Sequence, residues 1–162
     1  MSFKSKRTAA NLAAGTVLAG VYLAYALSEQ APSQEDIVSW ARVILIFIGI
    51  SAASVIVIQI LFHIVFSVST AVKQHGLAEE EIVRIIESDT AEDELDKLIS
   101  LRSSRAGYIC AGAGFAAALI SLAFMNASAA AALHILLFSA FAGSFTEGCI
   151  SISFYERGVR NG

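Results

Sequence analysis

The chain has 162 residues, of which 56% are hydrophobic, with one proline, a formal net charge of −3 and a mean hydropathy of +0.68. That apolar share lies above the range of ordinary soluble domains, so a soluble globular domain is excluded as the main part of the protein. No basic stripe is present, which excludes a nucleic-acid-binding surface.

Four apolar runs carry the composition, at residues 8–27, 43–70, 107–124 and 129–155. Each is near or above the roughly 20 residues that a helix needs to cross a bilayer. Lipid offers no hydrogen bonds to exposed backbone, so spanning segments must be helices or closed barrels. The runs lack the period-2 alternation of barrel strands. The expected fold is therefore all-α: residues 1–162 form one membrane domain, a four-transmembrane-helix bundle with a short cytoplasmic helical hairpin at residues 77–104 between helices 2 and 3.

The first run follows Lys4, Lys6 and Arg7 and ends near Ala24-Tyr25-Ala26, which has the look of a signal peptide with its cleavage site. Its apolar stretch exceeds a usual signal-peptide core, and a retained helix is expected. Pro32 breaks this helix, and Ser33 is placed to cap a short segment with Glu35 and Asp36 in its first turn. Trp40 is expected at the outer interface, where an apolar ring can keep its N–H in water.

With both termini cytoplasmic, ten lysines and arginines lie inside and only Arg42 lies outside, the bias expected of a multi-pass protein of the cell inner membrane. Gly76 is a plausible end to the second helix. In the hairpin, Ile82, Val83, Ile85 and Ile86 mark the apolar arc of one arm, and Leu95, Leu98 and Ile99 that of the other, capped near Thr90. The second arm feeds into helix 3. The connection "MNASAAA" makes helices 3 and 4 a tight antiparallel pair; its Asn-Ala-Ser matches a glycosylation acceptor only by accident of composition.

Several motifs reduce to packing or solvation. Gly112 to Ala117 match G-x-G-x-x-A, but no strand precedes them. Ala106, Cys110, Gly114 and Ala118 recur every four residues, as do Thr16, Gly20 and Ala24, and Ala140, Ser144 and Gly148. Such spacing lets helices approach closely, within one chain or across a homodimer seam. Cys110 and Cys149 fall within spans and are expected as small packing residues. The acidic residues Glu79, Glu80, Glu81, Glu87, Asp89, Glu92, Asp93, Glu94 and Asp96 lack the oxygen-ligand spacing and central glycine of a calcium loop. No metalloprotease helix, phosphate loop or nucleophile signature occurs, and neither cofactor nor metal is expected.

The polar residues inside the spans say more. At about 1.5 Å of rise per residue, Asn11, Gln59, His63, Cys110, Ser144 and Glu147 all fall roughly 5 to 17 Å inside the cytoplasmic leaflet. Gln59 and His63, four apart, share a face, whereas His134 lies near the outer end of helix 4. A carboxylate facing lipid is costly, so Glu147 is expected to point into the bundle, protonated or paired. Its candidate partners are His63 and Asn11 at similar depth, or Arg102 and Arg105 from below; with Gln59 and Ser144 these form either a proton or cation site or a hydrogen-bonded cluster that fixes helix register. One histidine with one glutamate falls short of a zinc site.

The stretch "DELDKLISLRSSRAGY" followed by "SFTEGCISISFYERG" resembles small prokaryotic four-helix integral membrane proteins of unknown function. The resemblance covers the C-terminal half, through Asp93, Glu94, Asp96, Lys97, Arg105, Gly107, Tyr108, Glu147, Gly148, Tyr155, Arg157 and Gly158; Leu95 stands where the pattern has arginine. It implies a prokaryotic integral membrane protein and supports the architecture. The expected function is that of a non-enzymatic membrane protein acting through protein contacts or self-association. Its partners would be the lipid bilayer, further copies of the chain and a cytoplasmic protein at the acidic hairpin. The alternative is a proton- or cation-linked transporter or channel using Glu147 and His63.

Overall fold

A computed structural model describes residues 3–73 and 94–157. Four helices account for nearly all of them: α1 Phe3–Ala26, α2 Ile37–Lys73, α3 Glu94–Phe124 and α4 Ala129–Arg157. All four are long and apolar enough to cross a membrane. At 37 residues, α2 is about 55 Å long and exceeds the roughly 30 Å of a hydrocarbon core. The second arm of the predicted hairpin is the first part of α3, continuous with the span from Glu94 onward. The first arm, with Gly76, Ile82 and the acidic run from Glu79 to Asp93, lies outside the described residues.

Helix ends are set by local chemistry. Asp36, rather than Ser33, caps α2: the Ser39 amide donates to its Oδ1 at 3.0 Å. Hydrogen bonds from the Ser39 hydroxyl and then its amide hold the Asp36 carboxyl below the usual carboxylate range. α3 ends at Asn126, whose φ of 50° is the left-handed conformation that asparagine tolerates better than most residues. The Met125 and Ala127 amides both reach back to the Ser121 carbonyl, at 3.2 and 3.1 Å, and satisfy one of the carbonyls at the helix end. Two residues later Ser128 Oγ accepts from the Ala131 amide at 3.1 Å and starts α4.

α4 is the hub of the fold, packing against α3, α1 and α2, while α3 packs on α4 alone among the described helices. The α3–α4 seam is close because it is made of small residues. A Cβ added to Gly107 would lie 2.9 Å from the Gly143 carbonyl oxygen, and one added to Gly114 would lie 1.9 Å from Ser139 Cβ. The buried residues of α3 are Ile99, Ser103, Gly107, Ala118 and Ser121, and half-buried Gly114 packs on Ser139, so half of the expected row stays on the seam and half moves away. A strict four-residue spacing drifts about 40° per step around a helix of 3.6 residues per turn, and a packed face must alternate threes and fours. On α1 the row Thr16, Gly20 and Ala24 is exposed, with no atom within 4 Å of a Cβ on Gly20.

At the end remote from the chain termini, Tyr22, Ile44 and Leu137 form a small core with Phe47 and Phe138 against it. Trp40 belongs here too. It is 3% exposed rather than standing at an interface, packs edge-on to His134 at 4.4 Å and donates Nε1–H to the Ser33 carbonyl at 3.1 Å. The indole N–H thus finds its acceptor inside the protein. At the opposite end, Lys4 of α1 is paired with Asp96 of α3, Tyr155 of α4 donates to the same carboxylate at 3.1 Å, and Ser5 donates to Glu156 at 3.1 Å. Three helices are tied there by polar contacts.

Candidate functional site

Glu147 lies on α4 one turn beyond Gly143, at the level where α3 presents Gly107. The missing side chain of Gly107 makes room for the carboxylate: an added Cβ would stand 3.1 Å from Glu147 Cβ and 3.4 Å from Oε2. Three residues earlier, and so on nearly the same face of α3, Ser104 donates its hydroxyl to Glu147 Oε1 at 2.5 Å. Glycine supplies the space and serine the donor.

The other side of this region opens on a cleft of about 650 Å³ between α1, α2 and α4. Gly148 sets its floor, because a Cβ there would lie 2.5 Å from Leu12 Cδ1 of α1. Glu147 is the only ionisable residue on the lining among the described residues. Asn11 also lines the cleft, and its Oδ1 is buried with no hydrogen-bond partner among the described residues. An amide oxygen removed from water without a donor is costly.

Four of the seven hydroxyls around the cleft share a bias. Thr8, Thr16, Ser51 and Thr146 donate to the carbonyls of Lys4, Leu12, Phe47 and Ala142 at 3.0, 2.8, 2.8 and 2.8 Å. Their hydrogens are therefore used within their own helices, and lone pairs are what they have left to offer. The remaining walls are apolar and aromatic, including Phe138, Phe141 and Phe145.

The structure thus brings Glu147, Asn11 and Ser144 together on one cleft. Gln59 and His63 are exposed on α2 and are not part of the lining. Both lie further along α2 than its lining residues Ser51, Ser54 and Val55. Arg102 and Arg105 are exposed, and the only hydrogen bond to Glu147 among the described residues comes from Ser104. Sequence reasoning missed Ser104, Ser51 and Ser54. The signal for Ser104 was its place one turn before a glycine at the depth of the carboxylate. Gly112–Ala117 is helical, with Gly114 packed on Ser139, and Cys110 and Cys149 are free thiols. Among the described residues no three His, Cys, Asp or Glu side chains cluster as metal ligands would. No protein-family model, no curated protein and no solved structure matches the chain.

Proposed function

We propose that the chain is a non-enzymatic integral membrane protein of a prokaryotic inner membrane, with both termini cytoplasmic, which binds a cation at Glu147 in exchange for a proton. The observation that carries this reading is the position of the one carboxyl group of the cleft among the described residues, at the level of the candidate membrane spans and on the same lining as an orphaned acceptor on Asn11. A carboxyl group at such depth is held neutral by a proton or balanced by a cation, and Ser104 is its only hydrogen-bond donor among the described residues. His63 is not required. The test is flux in proteoliposomes under a pH gradient, comparing wild type with Glu147→Gln. Gradient-driven proton movement that disappears in the variant supports the proposal, whereas equal silence of both proteins removes it.

Self-association is a second reading, favoured by the exposed row Thr16, Gly20 and Ala24 on α1. In lipid such rows draw helices together by close backbone approach. Gly20→Leu should lower the mass of the protein measured in detergent to that of one chain; an unchanged mass would count against the seam.

A further inference from the structure

We infer that the cation bound in the cleft is an organic primary ammonium carried on an apolar, aromatic-sized body. This rests on the reading of Glu147 as a cation site and narrows it to a ligand class. The sign of the ligand follows from the lining, where one carboxyl group is the sole ionisable residue among those described.

The donor content of the ligand follows from the acceptors left over. Glu147 Oε2 and Asn11 Oδ1 have no hydrogen-bond donor among the described residues, and Asn11 Oδ1 is buried. Thr8, Thr16, Ser51 and Thr146 present oxygens whose hydrogens already bond to carbonyls. A site with surplus acceptors selects N–H donors, since a quaternary ammonium would leave the Asn11 oxygen as unsatisfied as before. Ser54, Ser144 and Ser151 also line the cleft, and their hydroxyls orient to either polarity.

Size and wall chemistry exclude a bare metal ion as the fitted ligand. A volume of about 650 Å³ falls within the range of sites for drug-sized molecules. Phe138, Phe141 and Phe145 offer ring faces both to an apolar body and, by cation–π attraction, to the ammonium itself. On binding, the ammonium keeps its three N–H bonds, the proton held by the Glu147 carboxyl leaves to the aqueous side, and the charge of the site is unchanged.

The experiment is titration calorimetry on the detergent-solubilised full chain with 1-naphthylmethylammonium, in weak buffer so that released protons are counted. The comparison ligands are 1-naphthylmethanol, the N,N,N-trimethyl analogue, Na⁺ and K⁺. The primary ammonium is expected to bind saturably with proton release. Binding should be at least about tenfold weaker for the neutral alcohol and for Glu147→Gln. Asn11→Ala should weaken the primary ammonium several-fold and leave the trimethyl analogue unchanged. Gly15→Leu guards against misfolding of the Glu147 variant: Gly15 lines the cleft with no atom within 4 Å of an added Cβ, so the leucine narrows the cleft while the carboxyl stays intact, and binding should weaken.

Equal affinity for alcohol and ammonium, or for trimethyl and primary ammonium, overturns the assignment, as does indifference to Gly15→Leu. Displacement of the ligand by short-chain phosphatidylethanolamine would move the site to a lipid headgroup and overturn the free-amine assignment. Proton release by Na⁺ or K⁺ but not by the amine sinks the ligand class and leaves the cation site standing. No response to any cation sinks both.

Discussion

Replacing Gly114 by alanine tests whether backbone contact between α3 and α4 organises the molecule. The new methyl carbon would lie 1.9 Å from Ser139 Cβ and 3.3 Å from Ser139 Cα, and no rotamer change can move either atom. Carbon atoms settle at about 3.5 Å or more, so the helices must part locally by roughly 1.6 Å. Overpacking of this kind costs about 1–3 kcal/mol, and a clash with atoms fixed to the backbone belongs at the upper end. Alanine returns about 0.8–1.0 kcal/mol through its better helix propensity, which leaves a net loss of about 2 kcal/mol. Gly112→Ala, on the same helix but with no atom within 4 Å of its new Cβ, keeps only the propensity gain. Unfolding in mixed detergent and sodium dodecyl sulfate, followed by circular dichroism, should therefore separate the two variants by about 3 kcal/mol. If both shift alike, or if Gly114→Ala is the more stable, the close seam is not what holds α3 to α4.

Ser104→Ala should lower stability by about 1 kcal/mol or more, by leaving the Glu147 carboxyl group without its donor, while Arg105→Ala should stay within about 0.5 kcal/mol as an exposed substitution; the same unfolding assay reads both. Tyr155→Phe should weaken the tie between α4 and Asp96 by about 1 kcal/mol, visible as faster amide exchange in the last turn of α4. The Asp36 cap carries a pH dependence of definite sign. A carboxylate held low in the folded state contributes fully above its unfolded pKa near ~3.9, and the contribution is lost as pH falls through the lower folded value. Amide exchange in the first turn of α2 should therefore rise on acidification below that range, relative to a base-line Asp36→Asn variant in which the cap no longer titrates.

The architecture was legible because membrane-crossing helices are dictated by length and apolarity, and the four runs reappear as α1 to α4, with α1, α2 and α3 starting earlier and α2 and α4 ending later than the apolar runs. The Trp40 prediction had the right physical demand, a partner for the indole N–H, but not the partner, because the Ser33 carbonyl is brought to it by a turn no periodicity reveals. The buried face of α3 was half legible: Gly114 and Ala118 were on it, but a fixed spacing of four could not follow the helical phase. Depth along the spans placed Asn11, Ser144 and Glu147 at one level, and that level is where the cleft lies. Gln59 follows the lining residue Val55 by four residues, on nearly the same face of α2, so its place along the helix is what sets it apart from the cleft, and His63 lies a further turn away. Ser104 escaped notice because its hydroxyl becomes significant only once Gly107 lets two helix backbones meet.

The helix on which the other three lean is also the one that follows them in the chain. Until α4 is in place, α1 packs only on α2 and reaches α3 only through the Lys4–Asp96 pair among the described contacts, and the glycine face of α3 has no match. Biogenesis must therefore end in a single late docking event, with Asn11 and Ser104 passing their early life among acyl chains or translocon walls. A nascent chain stalled before α4 would be a natural target for membrane quality control, because its polar and small-residue faces have nowhere else to go.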